Sequence, residues 1–107
     1  MNRTNEGAAQ LEPETIVLFR KWRGEDHGIL ALFPCLIETP RGDVLSYEHI
    51  GQHGAADLAS CIQRTVPAKP EEYAALKREL ETIGYRLIVH KRSPSWSERA
   101  KHNPFRK

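Results

Sequence analysis

The stretch from residue 70 to residue 91 constrains the fold most, because it predicts a helix and a strand that follow each other directly. Four apolar residues recur at steps of three and four and so share one helix side: Tyr73, Leu76, Leu80 and Ile83. Pro70 suits the first helical turn and Gly84 suits the end of the helix. Residues 85–91 then alternate in the manner of a strand, which predicts a compact helix-then-strand unit.

Two apolar runs near the start of the chain predict a β-hairpin. Residues 15–22 are rich in β-branched and aromatic side chains, and residues 28–33 form a second apolar run. The polar segment between them is flanked by Gly24 and Gly28, which is typical of a turn. A third strand is predicted over residues 43–50, with Leu45 and Tyr47 on the face that is the better candidate for burial.

The remaining helical signal is short. Asp57 is a suitable N-cap for a helix over residues 58–63. The predicted order is therefore β-β-β-short α-α-β, an α+β fold. We expect an antiparallel sheet of about four strands, with the one main helix packed across one face.

The charge is distributed unevenly between the parts of the chain. The 107 residues carry a formal net charge of +2, but residues 16–90 sum to −1 and residues 91–107 to +5. We therefore predict a flexible leader over residues 1–15, a single domain over residues 16–90 and a basic, flexible tail over residues 91–107.

The tail raises the hypothesis of a nucleic-acid-binding accessory protein. Basic and aromatic side chains that could contact phosphates and stack on bases are Lys91, Arg92, Trp96, Arg99 and Lys101. The alternative is a disordered end that only aids solubility.

The expected location is the cytoplasm, without a membrane contact. No apolar run approaches the roughly 18–20 residues that a membrane span needs. The first ten residues lack the apolar core of a secretion signal, and the two cysteines suggest reduced thiols rather than a disulfide framework.

Residues 46–54 contain the densest group of reactive side chains. Two imidazoles, a carboxylate, a phenol and an amide lie close together there, and Gly51 and Gly54 predict a tight loop. We predict a binding surface over the Tyr47–Asp57 loop region, with these contact residues: Tyr47, His49, Gln52, His53 and Asp57.

Three interpretations of this group compete. In the first, His49 and His53 are metal ligands together with Cys61, His27 or Asp57, although Gly51 argues against the single helix that ligands four residues apart usually share. In the second, His53 is a general base of a hydrolytic enzyme, oriented by Glu48 or Asp57. In the third, Gln52 and His53 satisfy backbone groups of the loop and have a structural role.

The chain resembles a family of small bacterial and phage-associated proteins. The resemblance rests on a motif of the form Y-x-H-[IV]-G-Q-H-G and on a helix that starts with Pro-Glu-Glu-Tyr. The matching runs cover much of residues 16–89: VLFRK (17–21), ALFP (31–34), SYEHIGQHGAAD (46–57), PEEY (70–73) and ELETIGY (79–85). The family carries no assigned activity, so the resemblance implies no mechanism. Its members tend to have a threonine or a similar cap before this helix, where this chain has Lys69.

The sequence does not determine a biochemical activity. The leading hypothesis is a small non-enzymatic binding module that contacts a protein or nucleic-acid partner through the Tyr47–Asp57 loop region, without a catalytic residue, metal or cofactor; the near-neutral charge of residues 16–90 favours a protein partner. The alternatives are a metal-binding or hydrolytic enzyme that uses His49, His53 and Glu48, and the nucleic-acid-binding protein that uses the tail. Nothing in the sequence indicates the oligomeric state.

Overall fold

The computed structural model describes residues 14–24, 28–48 and 52–105. These residues form six strands and three helices. The strands are β1 (Thr15–Trp22), β2 (Ile29–Ile37), β3 (Val44–Glu48), β4 (Gln52–Ala56), β5 (Thr65–Pro67) and β6 (Leu87–His90); the helices are α1 (Leu58–Arg64), α2 (Pro70–Ile83) and α3 (Trp96–Ala100). None of the described helices is long and apolar enough to cross a membrane.

The strands make one mainly antiparallel sheet. Its spatial order is β4-β3-β2-β1-β5, and β6 pairs with β1 in parallel. The outer side of β1 is shared, since β6 pairs with residues 15–18 and β5 with residues 20–22. The predicted α+β class is therefore confirmed, with six strands in place of about four.

Both faces of the sheet are covered by helices. One core cluster joins α2 to the sheet through Val17, Phe19, Ala31, Phe33, Tyr47, Leu76 and Leu80. A second cluster, on the other face, joins α1 to the sheet through Leu18, Leu30, Leu32, Ile37, Val44 and Leu58. The sequence predicts a helix on one face only, whereas α2 and α1 cover opposite faces. The continuous apolar runs of β1 and β2 follow from this arrangement, because a central strand covered on both sides has no wet face.

Helix α2 spans the predicted residues, and a carboxylate helps to fix its start. The Lys69 backbone N–H donates to Glu72 Oε1 at 2.9 Å, and Lys21 Nζ lies 2.6 Å from Glu72 Oε2. The Lys69 side chain is therefore not needed as a cap. Gly84, with φ +128°, ends the helix in a conformation that favours glycine.

The predicted apolar stripe of α2 is wrong at its last position. Leu80 is fully buried, whereas Ile83 is 52% exposed. After the turn at Gly84, the Tyr85 ring stacks on Phe33 with ring centroids 5.0 Å apart. Tyr85 thus covers this end of the core, and Ile83 stays at the surface.

A buried arginine connects α1 to the sheet. Arg20 is 8% exposed, and its guanidinium donates to Thr65 Oγ1 at 2.8 Å, to the Thr65 carbonyl at 2.9 Å and to the Ile62 carbonyl at 3.0 Å. The two carbonyls lie at the C-terminal end of α1, and the Ile62 carbonyl also accepts the Thr65 backbone N–H. Burial lowers the pKa of Arg20, and the charge of Arg23 adds to this effect.

Part of the predicted tail forms a helix that contacts the sheet. Ser95 caps α3 by accepting the Glu98 backbone N–H at 3.2 Å. Arg99 Nε donates to the Pro34 carbonyl of β2 at 2.8 Å. The sequence pattern did not predict this helix. The division into leader, domain and tail stays a prediction.

Candidate functional site

The predicted Tyr47–Asp57 loop region contains a strand rather than a loop after residue 51. β4 pairs with β3 in a regular antiparallel register from Val44 opposite Ala56 to Glu48 opposite Gln52. Gly54 is not among the described glycines with positive φ, so it is an ordinary strand residue here. The backbone groups that residues 52–56 turn toward β3 are satisfied by this pairing, which the two glycines in the sequence did not predict. His49, Ile50 and Gly51 and the Gln52 side chain lie outside the described residues.

His53 lies on the α2 face of the sheet between two tyrosines. Its Nε2 is 3.1 Å from the Tyr85 hydroxyl, and its ring meets the edge of the Tyr47 ring with centroids 4.6 Å apart. The His53 side chain is otherwise exposed. The imidazole is therefore held in a defined position at the surface of the protein.

The two tyrosines anchor this surface to the core. Tyr47 is 1% exposed, and its hydroxyl donates to Glu79 Oε2 of α2. Burial raises the pKa of Tyr85, and the charge of Glu38 acts in the same direction.

The two carboxylates proposed to orient His53 are engaged elsewhere. Glu48 accepts the Trp22 Nε1–H at 3.0 Å on the opposite face of the sheet. Asp57 is the N-cap of α1, as predicted, and accepts the Ser60 backbone N–H at 3.5 Å. Within the described ranges, no group of three His, Cys, Asp or Glu side chains is placed to hold a metal ion.

The candidate nucleic-acid residues of the tail differ in their surroundings. Lys91 and Arg92 are exposed directly after β6. Arg99 lies over the Trp96 ring at 5.0 Å in addition to its bond to β2, and Lys101 Nζ is 3.4 Å from Glu98. These contacts use part of the predicted phosphate-binding surface. Nucleic-acid binding stays a prediction.

The backbone of β4 offers hydrogen-bonding groups at its outer edge. The Gly54 carbonyl accepts the Ser46 hydroxyl at 3.0 Å. The Trp22 backbone N–H donates to the Gly28 carbonyl, and the alternation from this pair through the registers of β1 to β4 directs the polar backbone groups of Gly54 toward Ser46, its partner on β3. Because these groups alternate along a strand, those of His53 and Ala55 point outward. No strand in the described part of the chain pairs with this edge. In the sequence, β3 and β4 are separated by three residues that include Gly51, a spacing that is typical of a β-hairpin.

The β4 edge also lacks the usual features that prevent pairing with another chain. Edge strands are commonly protected by charged residues, prolines, bulges or shortness. β4 has five uncharged residues without a proline, QHGAA. The opposite sheet edge is divided between β5, which contains Pro67, and β6, which lies between Arg86 and Lys91. The β4 edge is therefore protected by none of these features, and it is the edge at which a strand of another chain can pair.

A concavity opens beside Tyr47 on the same face. Its volume is about 630 Å³, and it is lined by Tyr47, Ala75, Arg78, Glu79, Thr82 and Ile83. Five of these residues form one side of α2, and Tyr47 is the cross-strand partner of His53. Arg78 is not recognisable from the sequence, because an isolated arginine on a helix carries no distinguishing pattern.

Neither protein-family models, nor curated proteins, nor solved structures give a match to this chain. The resemblance to small bacterial and phage-associated proteins stays a prediction.

Proposed function

We propose that this protein is a non-enzymatic binding module that captures an extended segment of a partner protein by adding it to the sheet beside β4. The observation that carries the proposal is the uncharged outer edge of β4, with the backbone groups of His53 and Ala55 directed outward. Strand addition uses such groups for affinity and the adjoining side chains for specificity.

The number of outward groups gives the scale of the interaction. Two residues present two N–H donors and two carbonyl acceptors, and each hydrogen bond contributes roughly 0.5–1.5 kcal/mol net. These bonds alone amount to weak binding, so side-chain contacts must add to them. Tyr47 and Tyr85 hold the edge in place, which reduces the ordering cost of association.

The enzymatic alternative has less support from the geometry. A general-base histidine needs a group that orients it. Glu48 lies on the other sheet face, and Asp57 caps α1. The hydroxyl of Tyr85 is the polar partner that His53 has among the described residues. This pair suits a binding surface better than a hydrolytic site.

The proposal predicts that Ala55→Pro weakens binding at least about tenfold, which corresponds to about 1.4 kcal/mol. Proline removes an outward N–H but no bond to β3, so it is tolerated on an edge strand. Short random peptides are selected on the full-length protein, and the enriched peptides are titrated by fluorescence anisotropy. Circular dichroism confirms that the variant is folded.

Ala55→Ser is the matched control, since it changes the same side chain and keeps the N–H. We expect it to bind like the unchanged protein. Peptides N-methylated at alternate amides provide a second test, because only one of the two methylation patterns blocks pairing with an edge. Equal binding by Ala55→Pro and Ala55→Ser would contradict strand addition.

A further inference from the structure

We infer that the captured segment carries a large apolar side chain for the concavity beside Tyr47 and a carboxylate for Arg78. This inference rests on the proposed function, since it assumes a strand beside β4. It concerns the chemistry of the partner, whereas strand addition concerns only its backbone.

The geometry of a sheet brings every second side chain of an added strand to the α2 face. On that face the neighbouring residues of β4 are His53 and Ala55, and Tyr47 lies next to His53 on β3. Tyr47 is also part of the concavity wall. A side chain long enough to pass His53 or Ala55 therefore reaches the concavity.

The walls of the concavity favour an apolar group. Ile83 is 52% exposed there, and the exposed side chain of Ala75 adds apolar surface. An exposed isoleucine is stabilised by a partner side chain that removes it from water. A large aliphatic or aromatic side chain fits this requirement.

Arg78 supplies the charge that a partner can use. In the described part of the chain it has no carboxylate within 4 Å, although two acidic residues are near it in sequence. Glu81 pairs with Lys77 at 2.9 Å, and the Glu79 carboxylate, which lines the same concavity, accepts the Tyr47 hydroxyl. Arginine binds carboxylates in a two-pronged geometry that a partly desolvated site strengthens. An aspartate or glutamate of the partner is therefore the complementary group.

A second copy of the chain is a poorer match for this site. If β4 paired with β4 of another copy, the side chains on the α2 face would be His53 and Ala55. Neither is a large apolar residue or a carboxylate. The concavity and Arg78 would then stay without a complementary group, so a different protein segment is favoured.

Charge reversal tests the inference. Peptides selected on the unchanged protein are expected to be enriched in an acidic residue near an apolar one, and replacing that acidic residue by lysine should weaken binding about tenfold. Arg78→Glu should reverse this preference, so that the lysine peptide binds better than the acidic one. Arg78→Gln should remove the preference. Arg86→Glu is the control, because it changes the net charge equally at an exposed position outside the concavity.

The outcomes separate the two proposals. Binding that is lost in Ala55→Pro but has no charge preference would overturn the partner chemistry and leave strand addition intact. Binding that survives Ala55→Pro would overturn strand addition. Sedimentation of the protein without peptide supplies the third comparison: a dimer that dissociates in Ala55→Pro would identify a second copy as the occupant and overturn the inferred partner.

Discussion

Replacing Arg20 with methionine is expected to lower the free energy of unfolding by about 2–4 kcal/mol. The methionine fills much of the volume but donates nothing, so Thr65 Oγ1 and the Thr65 carbonyl lose the guanidinium as donor, and the Ile62 carbonyl keeps the Thr65 backbone N–H alone. These acceptors are largely shielded from water, and leaving such groups unsatisfied is more costly than the bonds themselves are stabilising. Urea unfolding followed by circular dichroism measures the difference.

Arg23→Met is the matched control, because Arg23 is exposed and its side chain makes no hydrogen bond or ion pair within the described ranges. We expect it to change the free energy of unfolding by less than about 0.5 kcal/mol. Arg20→Lys keeps the charge but not the planar fork, so it should recover only part of the loss. Similar stabilities for Arg20→Met and Arg23→Met would show that the guanidinium does not hold the end of α1 to β1.

The elements that were predicted correctly are those with a strong local signal. The β1–β2 hairpin has two apolar runs separated by a glycine-flanked turn, and α2 has a proline at its start and Gly84 at its end. The Asp57 cap likewise depends on residues close in sequence. Such signals require no knowledge of the rest of the fold.

The missed strands depend on distant partners. β4 contains Gly54 and two alanines, and β5 is a three-residue strand that ends at Pro67. β4 has low intrinsic strand preference, whereas β5 has two strand-favouring residues, Thr65 and Val66, but is too short to give a sequence pattern. Both strands exist because a neighbouring strand supplies backbone partners. The same dependence explains why four strands were expected and six are present.

The candidate site was located in part. The predicted segment contains Tyr47 and His53, which do lie together, but their partners Glu79 and Tyr85 are both 32 residues away along the chain. Contacts of this range follow from how α2 and the strand after it pack on the sheet. A pattern within residues 46–54 could not show them.

The exposure of Ile83 separates the core of α2 from its proposed binding surface. Leu80→Ala is expected to lower the free energy of unfolding by about 2–5 kcal/mol, because it leaves a cavity in the cluster formed with Phe33 and Tyr47. Ile83→Ala should change it by less than about 0.5 kcal/mol, since that side chain is already 52% exposed. Urea unfolding of both variants provides the comparison.

Peptide affinity, unlike stability, should depend strongly on Ile83. Ile83→Ala removes one apolar wall of the concavity, so a selected peptide should bind it about tenfold more weakly, a change of about 1.4 kcal/mol. A large loss of stability in Ile83→Ala would instead mean that the last turn of α2 packs into the core, and the concavity would lose the wall that the inferred partner requires. A stable Ile83→Ala protein with unchanged peptide affinity would place the apolar side chain of the partner elsewhere. A stable Ile83→Ala protein with weakened peptide affinity is the result that a surface role for Ile83 predicts.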